Sequence, residues 1–172
     1  MKKIVLALVA VVMLGSTAFS QVSLGGRFYG GLNTGAEVSL LYDMSQTNRI
    51  EADLGYGYGV ATAHYHDALL GDYTADHVIY LATASASYQW MFNIVKGFGW
   101  FVGPAAQFGI GTHPDNSLYA RLGVGAQGGV EYKFDFPLQV SLDVRPLIDF
   151  IHLSDHRTMF DLGVAAGVRY CF

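Results

Sequence analysis

The sequence predicts an all-β protein: eight antiparallel strands closed up-and-down into a transmembrane β-barrel, preceded by a cleaved signal peptide. Three observations carry that prediction. Apolar residues recur with period two in one segment after another, as a strand with two different surroundings requires. The composition is 52% hydrophobic and 14% aromatic but only 14% charged, with 21 glycines and a mean hydropathy of +0.30. Yet beyond the first twenty residues no apolar run approaches the roughly 20 residues of a helical span. Apolar residues dispersed by alternation are what membrane-crossing strands need.

Residues 1–20 form the signal peptide: Lys2 and Lys3 are the charged start, Ile4 to Leu14 the apolar core, and Ala18-Phe-Ser20 the small-x-small cleavage site. Residues 21–172 then make one barrel domain. The single Cys171 excludes an internal disulfide framework. A net charge of −4 leaves no basic footprint, so nucleic acid is not expected as a partner.

The strands follow in order. The first covers about 22–31, with Arg27 and Tyr29 opposite Leu24 and Phe28. The second, 36–44, sets Val38, Leu40 and Tyr42 against Glu37, Ser39 and Asp43, and Ser45-Gln-Thr-Asn48 turns the chain. The third, 49–62, carries Ile50, Leu54, Tyr56 and Tyr58 opposite Arg49, Glu51 and Asp53. A long polar connection is expected at 63–77. The fourth strand, 78–92, and the fifth, 98–111, flank a turn at 93–97. The sixth, 118–134, follows the connection 113–117, and Asp135-Phe-Pro137 leads into the seventh. Pro146 there predicts a bulge or altered edge, since proline cannot donate to the ladder. After a loop at 151–160 comes Leu162–Phe172, whose face of Leu162, Val164, Ala166, Val168, Tyr170 and Phe172 runs to the last residue.

An even strand number brings both termini to one end, together with the three short turns, and that end is expected to face the periplasm. Tyr42, Tyr88, Trp90, Phe92, Phe98, Trp100, Tyr132, Phe134, Tyr170 and Phe172 then fall near it, as an interfacial girdle would. Leu142-Asp-Val-Arg-Pro146, Glu131-Tyr-Lys-Phe134, Trp100-Phe-Val-Gly103 and the terminal Val168-Arg-Tyr-Cys-Phe172 resemble the small outer-membrane β-barrel proteins of the OmpA/OmpX-like class. The resemblance spans the whole mature chain. It implies the Gram-negative outer membrane, periplasmic termini and recognition of the C-terminal strand by the barrel-assembly machinery. It implies neither an enzymatic activity nor a cofactor.

The inward parity collects Arg27, Arg121, Arg145 and Arg169 with Glu37, Glu51, Asp53, Glu131 and Asp143. An eight-stranded barrel is just wide enough for side chains to fill. Charges there must pair, because an unpaired buried charge is costly. A hydrogen-bonded network plugging the lumen is therefore expected, with Arg169 reaching carboxylates such as Asp143 on the next strand.

All six histidines fall in or beside the longer connections. His64, His66, Asp67 and His77 offer nitrogen and oxygen ligands for a divalent ion, against the plainer reading that polar residues gather where water is. His152-Leu-Ser154 is similar to the His-x-Ser element of outer-membrane lipid A deacylases, with Asp161 as the acidic third member. The resemblance implies that His152 activates Ser154 while the carboxylate orients the imidazole. Here the serine is followed by Asp155-His156, and Asp161 falls on the lumen parity while His152 and Ser154 fall on the other. The reading adopted is a monomeric barrel with a structural or surface-interaction role, meeting lipid and lipopolysaccharide. A lipid A-modifying hydrolase and a narrow small-solute transporter are the alternatives.

Overall fold

The computed structural model describes residues 21–31, 33–67, 71–112, 118–150 and 159–172. Its strands are β1 (Val22–Gly30), β2 (Asn33–Asp43), β3 (Asn48–Asp67), β4 (Gly71–Val95), β5 (Phe98–Thr112), β6 (Leu118–Lys133), β7 (Leu138–Asp149) and β8 (Met159–Cys171). Each pairs antiparallel with its sequence neighbour, and β1 pairs with β8 to close the barrel. Closure begins at Ser23 opposite Cys171, and the Phe172 amide donates to the Val22 carbonyl at 3.0 Å. Both ends of the described chain therefore meet at one rim. With no free edge, every strand's backbone groups have a partner strand on each side.

The alternation sorts side chains in the opposite sense to a water-soluble core. Phe28, Leu54, Val38 and Val60 are exposed by 72, 69, 62 and 62%, whereas Arg49, Glu51, Gln89 and Gln127 are fully buried. An apolar surface this continuous is foreign to a soluble monomer. The interior is polar because its groups find partners there rather than in water.

Three short turns share the rim with the termini. The β2–β3 turn is held by Ser45, whose Oγ accepts the amides of Thr47 and Asn48 at 3.2 and 3.1 Å. In the β6–β7 turn, the Leu138 amide donates to the Phe136 carbonyl at 2.6 Å. The β4–β5 turn ends on Gly97 at φ 79°, where an added Cβ would stand 2.5 Å from the Lys133 carbonyl oxygen. Gly97→Ala combines a left-handed backbone with that close contact and should destabilise the barrel by about 1–3 kcal/mol. Denaturant unfolding followed by tryptophan fluorescence checks it, and an unchanged midpoint would refute it.

The structure moves several expected boundaries. The stretch read as a loop at 63–77 is mostly hairpin, since β3 and β4 stay paired in one register from Asn48↔Trp90 to Asp67↔Gly71. Polarity marked the chain leaving the apolar band, but pairing depends on backbone geometry and continues past that point. β2 begins at Asn33 and β8 at Met159, also beyond the apolar limits. Pro146 makes no bulge: it pairs with Leu162 in an unbroken β7–β8 register. Toward β6 the ladder lapses between Gly125↔Leu147 and Gly128↔Val144, so the missing donor sits in a gap while the register is kept. The register shift that does occur lies at Asn93/Val95, beside the β4–β5 turn.

Candidate functional site

Within the barrel the inward side chains form three tiers, set by how far along its strand each residue stands. Nearest the termini, Arg49 opens β3 and ion-pairs with Glu131 near the end of β6. Its Nε donates to Gln89 Oε1 at 2.5 Å, and its guanidinium lies 4.7 Å from the Phe101 ring centroid. Gln139 donates to the same Glu131 carboxylate at 2.6 Å.

The central tier gathers three arginines and four carboxylates. Arg27, 1% exposed, donates to Glu37 and Asp53 at 2.8 Å each and to Asp143 at 2.6 Å, while its Nε stands 3.4 Å from Glu51. Arg145 donates to Asp53 at 2.8 Å and to Ser85 at 2.7 Å. Arg169 donates to Glu51 at 2.5 Å, to Ser39 at 3.0 Å and to Ser141 at 2.8 Å. Glu51 also accepts from Ser39, Gln89 and Gln127, which makes it the hub joining this tier to the one below. The forked, planar guanidinium is what allows one cation to serve three acceptors on different strands.

At the opposite rim a looser tier forms around Arg121 near the start of β6. It donates to Gln107 at 3.0 Å, Asp161 at 3.2 Å and Asp149 at 3.4 Å.

All nine charged lumen residues expected from the sequence face inward and are buried. Their pairing differs in one respect. Asp143 bonds Arg27 and Gln127, whereas Arg169 crosses to Glu51, Ser39 and Ser141. The register explains this: Arg169 stands opposite Gln139 on β7, and Asp143 stands opposite Ala165, four residues further along the ladder. A long side chain in a narrow lumen reaches across more easily than along. Sequence reasoning left out Arg49, Asp149 and the glutamines 89, 107, 127 and 139, and set Asp161 only in a catalytic role. Carrying the inward parity on from Asp143 through Pro146 would have found Asp149.

The expected girdle residues lie on the outer face near the termini rim. Tyr42, Trp90, Phe92, Trp100, Tyr132, Phe134, Tyr170 and Phe172 are exposed, and Tyr88 and Phe98 are partly so. They contact one another in pairs: Phe92 stacks on Trp100 at 4.3 Å, and Tyr88–Trp90, Tyr132–Phe134 and Tyr170–Phe172 meet edge to face at 5.4, 4.8 and 5.0 Å.

The alternative sites behave differently. His152 and Ser154 lie outside the described residues. Asp161, their proposed third member, is buried in the lumen, where it accepts from Arg121. His64, His66, Asp67 and His77 sit on the extended β3–β4 hairpin, with His64 opposite Thr74, His66 opposite Asp72, Asp67 opposite Gly71 and His77 opposite Ala61. The side chains of these four lie outside the described residues. Among the described residues no three His, Cys, Asp or Glu side chains are grouped as a metal ion needs.

No family model and no curated protein matches the chain. Solved structures do. Neisserial surface protein A superposes with a TM-score of 0.64 at 14% identity, covering 88% of this chain and 96% of that one. The chain has the fold of the small outer-membrane barrels. A second match is the N-terminal β-barrel domain of Pseudomonas aeruginosa OprF, with a TM-score of 0.52 at 16% identity over 88% of this chain and 96% of the other. At these identities the likeness concerns architecture.

Proposed function

We propose that the protein is an integral outer-membrane barrel with a sealed lumen, whose work is done at the cell surface by the rim opposite its termini. The observation that carries this is the inversion of the fold, with apolar side chains outward and an ion-paired interior. Hydrocarbon is the solvent such an outer face suits, and the closed ladder leaves no strand edge exposed to it. The girdle then lies at the periplasmic interface with both termini beneath it, and the C-terminal strand is what the assembly machinery meets.

The interior argues against transport. A solute passing the central tier would have to separate buried charges that hold one another, leaving each without compensation. What remains is a rigid platform presenting its longer connections to lipopolysaccharide or to molecules outside the cell, as a monomer and without chemistry of its own. The catalytic alternative has little support, since Asp161 is engaged by Arg121 in the lumen.

Cysteine labelling of intact cells tests the placement. In a Cys171→Ser background, Asn116→Cys should react with a membrane-impermeant maleimide, whereas Gln46→Cys should react only after the outer membrane is breached. Labelling in the reverse order would overturn the orientation, and recovery of the protein in the soluble periplasm would overturn the whole reading.

A further inference from the structure

Between the central tier and the Arg121 tier the lumen leaves a cavity of about 30 Å³, whose wall includes Arg27, Glu37, Arg121, Arg145, Asp161 and Gly163. Four of these keep a polar atom without a protein hydrogen-bond partner: Arg27 Nε, Arg121 Nε, Arg145 Nε and Asp161 Oδ1. Arg27 is 1% exposed and the other three 7%, so bulk water does not serve those atoms. Leaving a buried donor or acceptor unmade costs free energy, and for charged groups the cost is higher.

Charge decides what kind of guest belongs there. The wall carries three guanidiniums, on Arg27, Arg121 and Arg145, against the carboxylates of Glu37 and Asp161, which opposes a cation. The buried lumen as a whole holds five arginines against seven carboxylates, which opposes an anion. A neutral molecule that both donates and accepts meets neither penalty. One buried water needs about 10–15 Å³ of such space and makes about three hydrogen bonds, so two waters fit the volume. Two waters supply enough lone pairs for the three N–H groups and enough O–H groups for the carboxylate oxygen, with capacity left to bond each other.

We infer that this chamber is a binding site for two water molecules, held as structural ligands that join the Arg121 tier to the central tier. The direct contacts of Arg121, at 3.0–3.4 Å, are longer than the 2.6–2.8 Å bonds of Arg27. Bridging water therefore makes the outer tier part of one network rather than a separate cluster. The inference rests on the barrel's interior and is independent of the proposed cellular role.

The test uses the intact barrel in nanodiscs. Water-to-amide cross-relaxation at residues 161 and 163 should carry the sign of long-lived bound water. Gly163 offers a mild perturbation, because an added Cβ there meets nothing nearer than the Arg145 carbonyl oxygen at 3.7 Å. Gly163→Ser should keep a bound-water signal and near wild-type stability, since its hydroxyl replaces one guest. Gly163→Val, which fills the space without donating, should lose the signal and lower the folding constant about tenfold. Wild-type protein with no long-lived water at these amides overturns the inference. So does a bromide or thallium anomalous peak in the chamber, since an ion would then be the guest.

Discussion

Replacing Arg27 by alanine should cost the barrel about 3–5 kcal/mol, the range seen when one partner is removed from a buried ion pair. The side chain is 1% exposed and touches carboxylates from β2, β3 and β7. Its loss strands Glu37 and Asp143 without their nearest cation, because among the described residues Arg145 donates to Asp53 and Ser85, and Arg169 to Glu51, Ser39 and Ser141. The lumen is too narrow for bulk water to compensate. Arg27→Lys should recover only part of the loss, since an ammonium is a point charge and cannot present the same fork to three acceptors. A contrast is available at the rim. Lys96 and Asp135 also form an ion pair, at 2.8 Å, but with 87 and 86% of their side chains exposed. Lys96→Ala should change stability by less than about 0.5 kcal/mol, as solvent-exposed pairs do. Reversible urea unfolding in lipid vesicles measures all three variants. If Arg27→Ala unfolds with the same midpoint as Lys96→Ala, the network is decoration and the plug is held by packing.

How much of this was legible beforehand follows from what each feature depends on. Strand number and closure depend on period-two alternation and turn chemistry, which are local, and they could be read from stretches such as Val38–Asp43 or Leu162–Phe172. The inward parity likewise named Arg27, Glu51 and Asp143 from the sequence. Which carboxylate each arginine holds depends on register and on side-chain reach across the lumen, and neither is local: Arg27 and Asp143 are 116 residues apart. Arg49 was set on the same strand face as Glu51 and Asp53 but was not counted among the lumen charges. Asp161 was set on the lumen parity but given only a catalytic role, and Asp149 was lost beyond Pro146, although β7 carries on through it. The glutamines carry no charge to draw attention, yet Gln127 bridges Glu51 and Asp143 at 3.0 Å each. The histidine-bearing connections have no alternation to read, so their chemistry stayed open at the level of sequence.

Val38→Arg should destabilise the protein by about 2–4 kcal/mol in a bilayer, the cost of an arginine facing lipid near the midplane. Val38 sits at the middle of β2 and points outward, 62% exposed, between Gly26 on β1 and Leu54 on β3. In water the same change on an exposed residue would lie within about 0.5 kcal/mol of neutral, so the size of the effect reports the solvent that the outer face meets. Met44→Arg supplies the depth control. Met44 is 49% exposed and stands in the β2–β3 turn at the termini rim. There an arginine reaches headgroups and should cost about 0–1 kcal/mol. Measured by urea unfolding in vesicles, the two variants should differ by about 1 kcal/mol or more, at least about fivefold in folding constant. Equal stabilities would mean that Val38 does not face hydrocarbon. The apolar outer surface would then need a protein partner to cover it, and the barrel would belong at an interface between chains rather than alone in a membrane.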